Sequence, residues 1–322
     1  MTRAIGMILD GETEQTRAFA QKPLLGRNCR QYVYSALSKA GVDTIYDHQS
    51  PRDELLALLS SDEEFFITFV REEAPCLSPE THLRLRKASE MEPEQPVAVL
   101  ADDMSTYLAL CLHSSLLRSL RVEHRGQQMY MSNISRLFDD MGIPVRVLGG
   151  QESNCYCLVD GPTGFTTAYR FFRRIILRNM ISNGVIVLDP DSTTIEYDVR
   201  VGVGTTIYAG VLLQGRTRVG SNCVLYPGNL LQGNTTVGDG CVLYAGTRLQ
   251  NARVGRHVQL DHAVLMDCEI GDECEISPYV TIGPDVKLGR GCRVGSYVAL
   301  KSITLADGHS VSGAPLHIME NG

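Results

Sequence analysis

From Ile195 onward a branched aliphatic residue recurs every six positions: Ile195, Val201, Ile207, Leu213, Val219, Leu225, Leu231, Val237, Leu243 and Leu249. The spacing shortens through Val254, Leu260 and Leu265. Sixes then resume at Ile270, Ile276, Ile282, Leu288, Val294 and Leu300, and the series ends with Leu305 and Val311, 21 hexads in all. A period of six fits neither the 3.6 of a helix nor the two of a plain strand, but it does fit short strands separated by tight turns. Three such strands make one triangular coil, so the spacing predicts about seven coils. The larger unit is visible directly, since TRVGSNCVLYPGNLLQGN (Thr217–Asn234) is followed by TTVGDGCVLYAGTRLQN (Thr235–Asn251). At roughly 4.8 Å per stacked strand, seven coils make a prism about 30–35 Å long.

Two residues before each aliphatic stands a small or modest side chain: Thr205, Cys223, Cys241, Ala252, Cys268, Cys274 and Cys292. That position also points inward, where a narrow prism has little room. Glycine after the aliphatic, as at Gly202, Gly220, Gly238, Gly255, Gly271, Gly289 and Gly295, is explained by turns that need a positive φ or a close backbone approach. Composition supports the division, because 20 of the 30 glycines fall in residues 183–322. Tyr208, Tyr226, Tyr244 and Tyr279 are read as one ladder on successive coils and as a candidate subunit seam.

The net charge of −7 gives no electrostatic reason to expect a nucleic acid or an anionic membrane as partner. No signal-peptide pattern and no apolar run of spanning length occurs, so a cytoplasmic protein is expected. The ten cysteines contain no CxxC pair and are expected as reduced thiols that pack like small apolar residues. Cys155-Tyr-Cys157 is too thin a pattern for a metal site.

Residues 1–165 alternate strand-like segments (Ala4–Asp10, Thr44–His48, Glu64–Val70, Pro96–Asp103, Pro144–Gly149) with helix-like spans around Cys29–Ala40 and Met131–Gly142. Such alternation predicts an α/β domain with ligands at the carboxyl ends of its strands. The expected organisation is an α/β domain over 1–165, a linker helix over 166–182, and a β-helix over 183–322.

The hexad [I/V/L]-G-x-x-x-x resembles the left-handed parallel β-helix of the hexapeptide-repeat acyltransferases. The junction YRFFRRIILRNMISNGVIVLDPDSTTIEYDVRVG (Tyr169–Gly202) resembles the linker helix and first coil of a bifunctional family, the N-acetylglucosamine-1-phosphate uridylyltransferase/glucosamine-1-phosphate acetyltransferases. CEISPYV (Cys274–Val280) is similar to a coil of those enzymes. The resemblance implies a nucleotidyltransferase-like N-terminal domain, a homotrimer, a sugar phosphate or nucleotide sugar as ligand, Mg²⁺ as cofactor, and a place in UDP-N-acetylglucosamine and cell-wall metabolism. On the family's L-x-x-G-x-G-T-R-M loop, ILDGETEQTRAFAQKPLL offers Gly11 as substrate-binding backbone and Arg17 and Lys22 as catalytic cations on the phosphates. Glu73 falls at the family's metal aspartate and Asp160 at its asparagine, so these two are the implied metal ligands. Lys301 matches a lysine that contacts the sugar phosphate.

Several departures accompany these matches. The second glycine of the phosphate loop is absent, and Asp10, Glu12 and Glu14 add negative charge where a triphosphate would lie. The stretch between Asp47 and the Phe65 strand is too short for the family's base-recognition segment. In the β-helix, the general-base histidine falls at Gly313, the phosphate-binding arginine falls at Gly283, and the later coils that hold acetyl-CoA are missing. His309, at an inward hexad position, and His317 flank the expected base and are read as caps on the prism. His257 and His262, five apart with no third histidine in an adjacent coil, do not make a zinc site between subunits. Two functions follow as expectations: a sugar-1-phosphate nucleotidyltransferase with an inactive acetyltransferase half, or a catalytically degenerate paralogue that binds a sugar nucleotide or serves as a regulatory or scaffold trimer.

Overall fold

A computed structural model describes residues 2–47, 50, 57–58, 61–119, 130–149, 156–312 and 317–318. The chain divides into two compact units, Met1–Phe172 and Arg173–Gly322.

The first unit is built on a six-stranded sheet. Strands β1 (Arg3–Leu9), β2 (Thr44–Tyr46) and β3 (Phe65–Arg71) are parallel, in the spatial order β2-β1-β3. The sheet continues through β5 (Tyr107–His113), β4 (Val97–Leu100) and β6 (Arg146–Val147). β5 runs antiparallel to both β3 and β4 and is not among the expected strands. Its near-continuous apolar run, YLALCLH, fits a strand covered on both faces. On one face Ile5, Phe65, Phe69 and Leu112 pack with Met131, Ile134 and Phe138 of a helix over Met131–Asp140. On the other face Ile8, Phe66 and Val70 pack with Val33 and Leu37 of a helix over Cys29–Lys39 and with Leu85 and Ala88 of a helix over Pro79–Met91. The result is a three-layer α/β domain.

The helix Pro162–Ser182 begins four residues before the expected linker and crosses the boundary between the units. None of the helices among the described residues is long and apolar enough to cross a membrane.

The second unit is a parallel β-solenoid of about seven turns. Its strands, two or three residues each, stack into three parallel sheets of eight, eight and seven strands. Ile207 pairs with Leu225 and Leu225 with Leu243, so the hexad reading gives the observed register. The shortened spacing is absorbed at the corners, because Leu249 still pairs with Leu265 and Val254 with Ile270. One strand precedes the first expected hexad (Ile186–Val187), and one follows the last (His317–Ile318).

The inward positions are closed as expected, with Thr205, Cys223, Cys241, Ala252, Cys274 and Cys292 fully buried. Their polar atoms also bond to the backbone. Thr205 donates its hydroxyl to the Gly220 carbonyl at 2.8 Å, and Cys223, Cys241, Cys274 and Cys292 donate their thiols to the carbonyls of Gly238, Gly255, Gly289 and Ala306, each at 3.1 Å. The cysteines thus act as more than small apolar filler. A thiol can meet a carbonyl of the next coil where valine would leave that acceptor bare.

The seven glycines named above have ordinary φ values, unlike Gly283 after Ile282 at φ 115°, so close approach is their operative cause. A Cβ on Gly271 would stand 2.6 Å from the Gly289 carbonyl carbon and 2.8 Å from the Arg290 nitrogen. Left-handed backbone falls elsewhere, in one column at each of the three corners. The first column is Gly204, Asn222, Gly240, His257, Glu273, Gly291 and Gly308; the second is Gly210, Gly228, Gly246, His262, Tyr279 and Tyr297; the third is Gly215, Gly233, Asn251, Asp267, Asp285 and Ser302. His257 and His262 therefore lie on different corners, as turn residues. The tyrosine ladder also divides. Tyr208, Tyr226 and Tyr244 stack at 4.9 and 5.4 Å, whereas Tyr279 stacks on Tyr297 at 5.3 Å from the left-handed position of the same corner.

An L-residue pays a steric penalty in this conformation that glycine escapes. Ser302, exposed at φ 49°, is the simplest case. Ser302→Gly is expected to stabilise the solenoid by about 0.5–1 kcal/mol, net of glycine's extra unfolded-state freedom, read as a higher midpoint in urea.

Candidate functional site

Three adjacent parallel strands each end in an acid. Asp47 follows β2, Asp10 follows β1, and Glu72 follows β3, where the Glu72 N–H donates to the Leu9 carbonyl at 2.9 Å. All three carboxylates converge on one cation. Arg30, in the first turn of the helix Cys29–Lys39, lies 2.5 Å from Asp10, 2.8 Å from Glu72 and 3.6 Å from Asp47. A second arginine closes the flank, with Arg71 at 2.9 Å from Glu12 while donating to the Tyr107 carbonyl at 2.9 Å. This is where an open α/β sheet places its ligand. Here the position is taken by the protein's own ion pairs.

The loop from β1 is held in the same way. The Gly11 N–H donates to the Glu72 carboxylate at 3.1 Å, so the amide assigned to a phosphate already has an anion. The next helix, Glu14–Gln21, is capped by Thr13, whose hydroxyl accepts from the Thr16 N–H, while Thr16 Oγ1 accepts from the Thr13 N–H. Gly11 itself is required by space, since a Cβ there would meet Thr16 Oγ1 at 2.6 Å and Glu73 Oε1 at 3.0 Å. Arg17 is half-buried in the first turn of that helix and makes no ion pair among the described residues. Lys22 sits beyond the opposite end of the helix, exposed, its ammonium 4.1 Å from the Phe19 ring centroid. The structure brings Gly11 and Arg17 to the strand ends and leaves Lys22 apart from them.

Glu73 is 1% exposed, and its Oε2 has no hydrogen-bond partner among the described residues. Burial pushes its carboxyl up to about 7; Glu72 and Glu12 add to the rise, and Arg71 opposes it from 3.9 Å. The Val159 N–H donates to the Glu73 carbonyl at 2.8 Å, which draws the segment bearing Asp160 alongside. Asp160 is exposed, so the two proposed metal ligands occupy opposite environments. Magnesium takes ionised oxygen ligands and keeps several waters. A sealed, half-protonated Glu73 does not meet that need, and no group of three His, Cys, Asp or Glu among the described residues could hold a metal ion.

The pH dependence of stability follows in sign. Glu73 has a folded-state value above its unfolded one, so its contribution is complete below about 4.5 and is lost as pH rises through about 7. The fully buried His82 works in the other direction. Burial lowers it to about 4, so its contribution is complete above about 6.5 and is lost as pH falls through about 4. Between pH 5 and pH 8, Glu73→Gln is expected to remove on the order of 3 kcal/mol of the loss that the parent protein shows on going alkaline, measured by urea unfolding at both pH values. His82 is common to both proteins and cancels.

In the β-helix, Lys301 is exposed and makes no ion pair among the described residues. Gly283, where an arginine would bind phosphate, has no room for any side chain, because a Cβ there would overlap the Met266 carbonyl. His309 is exposed, unlike the inward positions of earlier coils. Gly313 lies outside the described residues, as does Cys155.

Arg30, Glu72 and Asp47 are absent from the sequence-derived site. Their signal is an acid directly after each of three strands, whereas the arginine that gathers them stands inside the capping box Asn28–Gln31, a pattern that marks a helix start and says nothing of ion pairing.

Residues 267–302 match the bacterial transferase hexapeptide (six repeats) family. Over 185 residues the chain is 28% identical to the bifunctional protein GlmU of Clostridioides difficile, a match covering 58% of this chain and 36% of the relative. It is 26% identical over 199 residues to the bifunctional protein GlmU of Acaryochloris marina, covering 62% and 39%. The sequence is thus similar to GlmU proteins and divergent from them, and the chain spans less than two fifths of their length. Among solved structures, a 4-diphosphocytidyl-2C-methyl-D-erythritol synthase from Anaerococcus prevotii aligns at TM-score 0.38 and 14% identity, covering 53% of this chain and 99% of that one. A UDP-N-acetylglucosamine acyltransferase from Campylobacter jejuni aligns at TM-score 0.29 and 17% identity, covering 36% and 60%.

Proposed function

We propose that this chain is a catalytically degenerate relative of the sugar-nucleotide transferases, a regulatory or scaffold protein in which a nucleotidyltransferase-like domain is followed in sequence by a hexapeptide β-helix. One observation carries the reading: Arg30 is spent on Asp10, Glu72 and Asp47, and Glu72 also occupies the Gly11 amide. A nucleoside triphosphate needs amides and cations that are not already neutralised. Admitting its phosphates here would mean breaking buried pairs and placing like charges together, at several kcal/mol. Two features of the β-helix agree, since Gly283 excludes the phosphate-binding arginine and Lys301 stands without it.

The competing reading is a working Mg²⁺-dependent sugar-1-phosphate nucleotidyltransferase, with Arg17 and Lys22 on the phosphates, Gly11 and Lys301 on substrate, and Glu73 and Asp160 on the metal. Sequence similarity to GlmU proteins favours it. Calorimetric titration with UTP and Mg²⁺ separates the two. Binding weaker than about 1 mM is expected, and micromolar binding abolished by Glu73→Ala or Asp160→Ala would sink the degenerate reading.

We further propose a cytoplasmic homotrimer. Half-exposed Leu212, Leu230, Val224 and Val242 on the outer faces of the early coils, next to the stacked Tyr208, Tyr226 and Tyr244, give a face suited to self-association. Light scattering should return about three times 35.4 kDa, and a monomer would contradict the proposal.

A further inference from the structure

The sulfur atoms of Cys76 and Cys157 lie 3.9 Å apart although 81 residues separate them in sequence. Cys76 follows Glu73 by three residues, and Cys157 precedes the helix Pro162–Ser182. The two segments are already fastened side by side, because Val159, two residues after Cys157, donates its N–H to the Glu73 carbonyl at 2.8 Å. Cys76 is buried and Cys157 half-buried, so Cys157 is the more accessible of the two to a small oxidant.

We propose that Cys76 and Cys157 form a reversible disulfide, a redox-modification site beside the ion-paired strand ends. A disulfide needs the sulfurs at about 2 Å, an approach of the size that side-chain rotation supplies. The Cys157 thiolate attacks a low-molecular-weight disulfide such as oxidised glutathione, forming a mixed disulfide and expelling one thiolate. The Cys76 thiolate then attacks the Cys157 sulfur, forming the protein disulfide and expelling the second. The two protons lost by the cysteines end on the two glutathiones, and the two electrons have reduced the glutathione disulfide.

Other thiols are set against this chemistry. Cys29 is pushed up to about 12 by burial, with Glu72, Glu73 and Cys157 adding to the shift, so it supplies almost no thiolate at neutral pH. Cys223, Cys241, Cys274 and Cys292 are fully buried in the solenoid and donate to carbonyls. The bond would tie the segment leading into the long helix to the segment bearing Glu72 and Glu73, closing a loop of 81 residues.

The full-length protein is equilibrated with oxidised and reduced glutathione at graded ratios, then alkylated and mapped by mass spectrometry without reduction. The expected product is a peptide linking Cys76 to Cys157, reversed by reductant. A rise in Tm on the order of 5–10 °C should accompany it and be absent in Cys76→Ser and Cys157→Ser. Cys76→Ser should instead accumulate glutathione on Cys157. The proposal is overturned if oxidised wild-type protein carries no Cys76–Cys157 link, or if the link joins other cysteines. Because the mapping uses wild-type protein and no nucleotide, its failure leaves the functional reading untouched.

Discussion

Arg30→Met is expected to lower the stability of the N-terminal domain by about 3–5 kcal/mol, because it removes the guanidinium that pairs with the buried Glu72 and Asp10 carboxylates. Asp10 is 9% and Glu72 2% exposed, so water cannot replace the guanidinium. The loss should appear as a fall in the urea midpoint of the domain's transition. Combining Arg30→Met with Glu72→Gln should recover a large part of it, since the uncompensated charge is removed along with its partner. Additive losses would mean that Arg30 and Glu72 do not act as a pair. The same variant bears on function, because freeing the strand ends of Arg30 leaves more negative charge there and should weaken nucleotide binding further.

Gly271→Ala should cost the solenoid about 2–4 kcal/mol and Gly291→Ala only about 1 kcal/mol, although both add one methyl group. At Gly271 the methyl would collide with the backbone of the next coil, at 2.6 Å from Gly289 and 2.8 Å from Arg290, and the backbone of a stacked coil has nowhere to go. At Gly291 nothing lies within 4 Å, and the penalty is the left-handed φ of 68° alone. Thermal unfolding of the two variants would check the order. Equal losses would show that φ, not coil-to-coil contact, selects these glycines.

This contrast marks what could be read from the chain. The hexad series gave the solenoid, its register and its inward cysteines, because a stacked coil must repeat its core side chain at a fixed interval. It did not separate the two reasons for glycine, since steric contact and positive φ both leave the letter G. The left-handed columns are hidden in the sequence where Asn222, His257, Glu273, Tyr279 and Ser302 occupy them, and for that reason the spacing groups Tyr279 with the ladder of Tyr208, Tyr226 and Tyr244. In the first domain the strand ends at Asp10 and Glu73 were legible. The clamp was not, because Arg30 reaches those ends from a helix 20 residues past Asp10 and 42 before Glu72, and charge pairing at such separations has no periodic signature. β5 escaped because an antiparallel return breaks the strand-helix alternation on which the reading relied.

The central claim is that self-neutralised strand ends leave no working nucleotidyl-transfer site. It is tested most directly by pyrophosphate release from UTP and N-acetylglucosamine 1-phosphate with Mg²⁺, using full-length protein at high concentration beside Glu73→Ala and Asp160→Ala. The account predicts no release above the enzyme-free rate for all three proteins. Steady release by the parent protein that either substitution abolishes would contradict it.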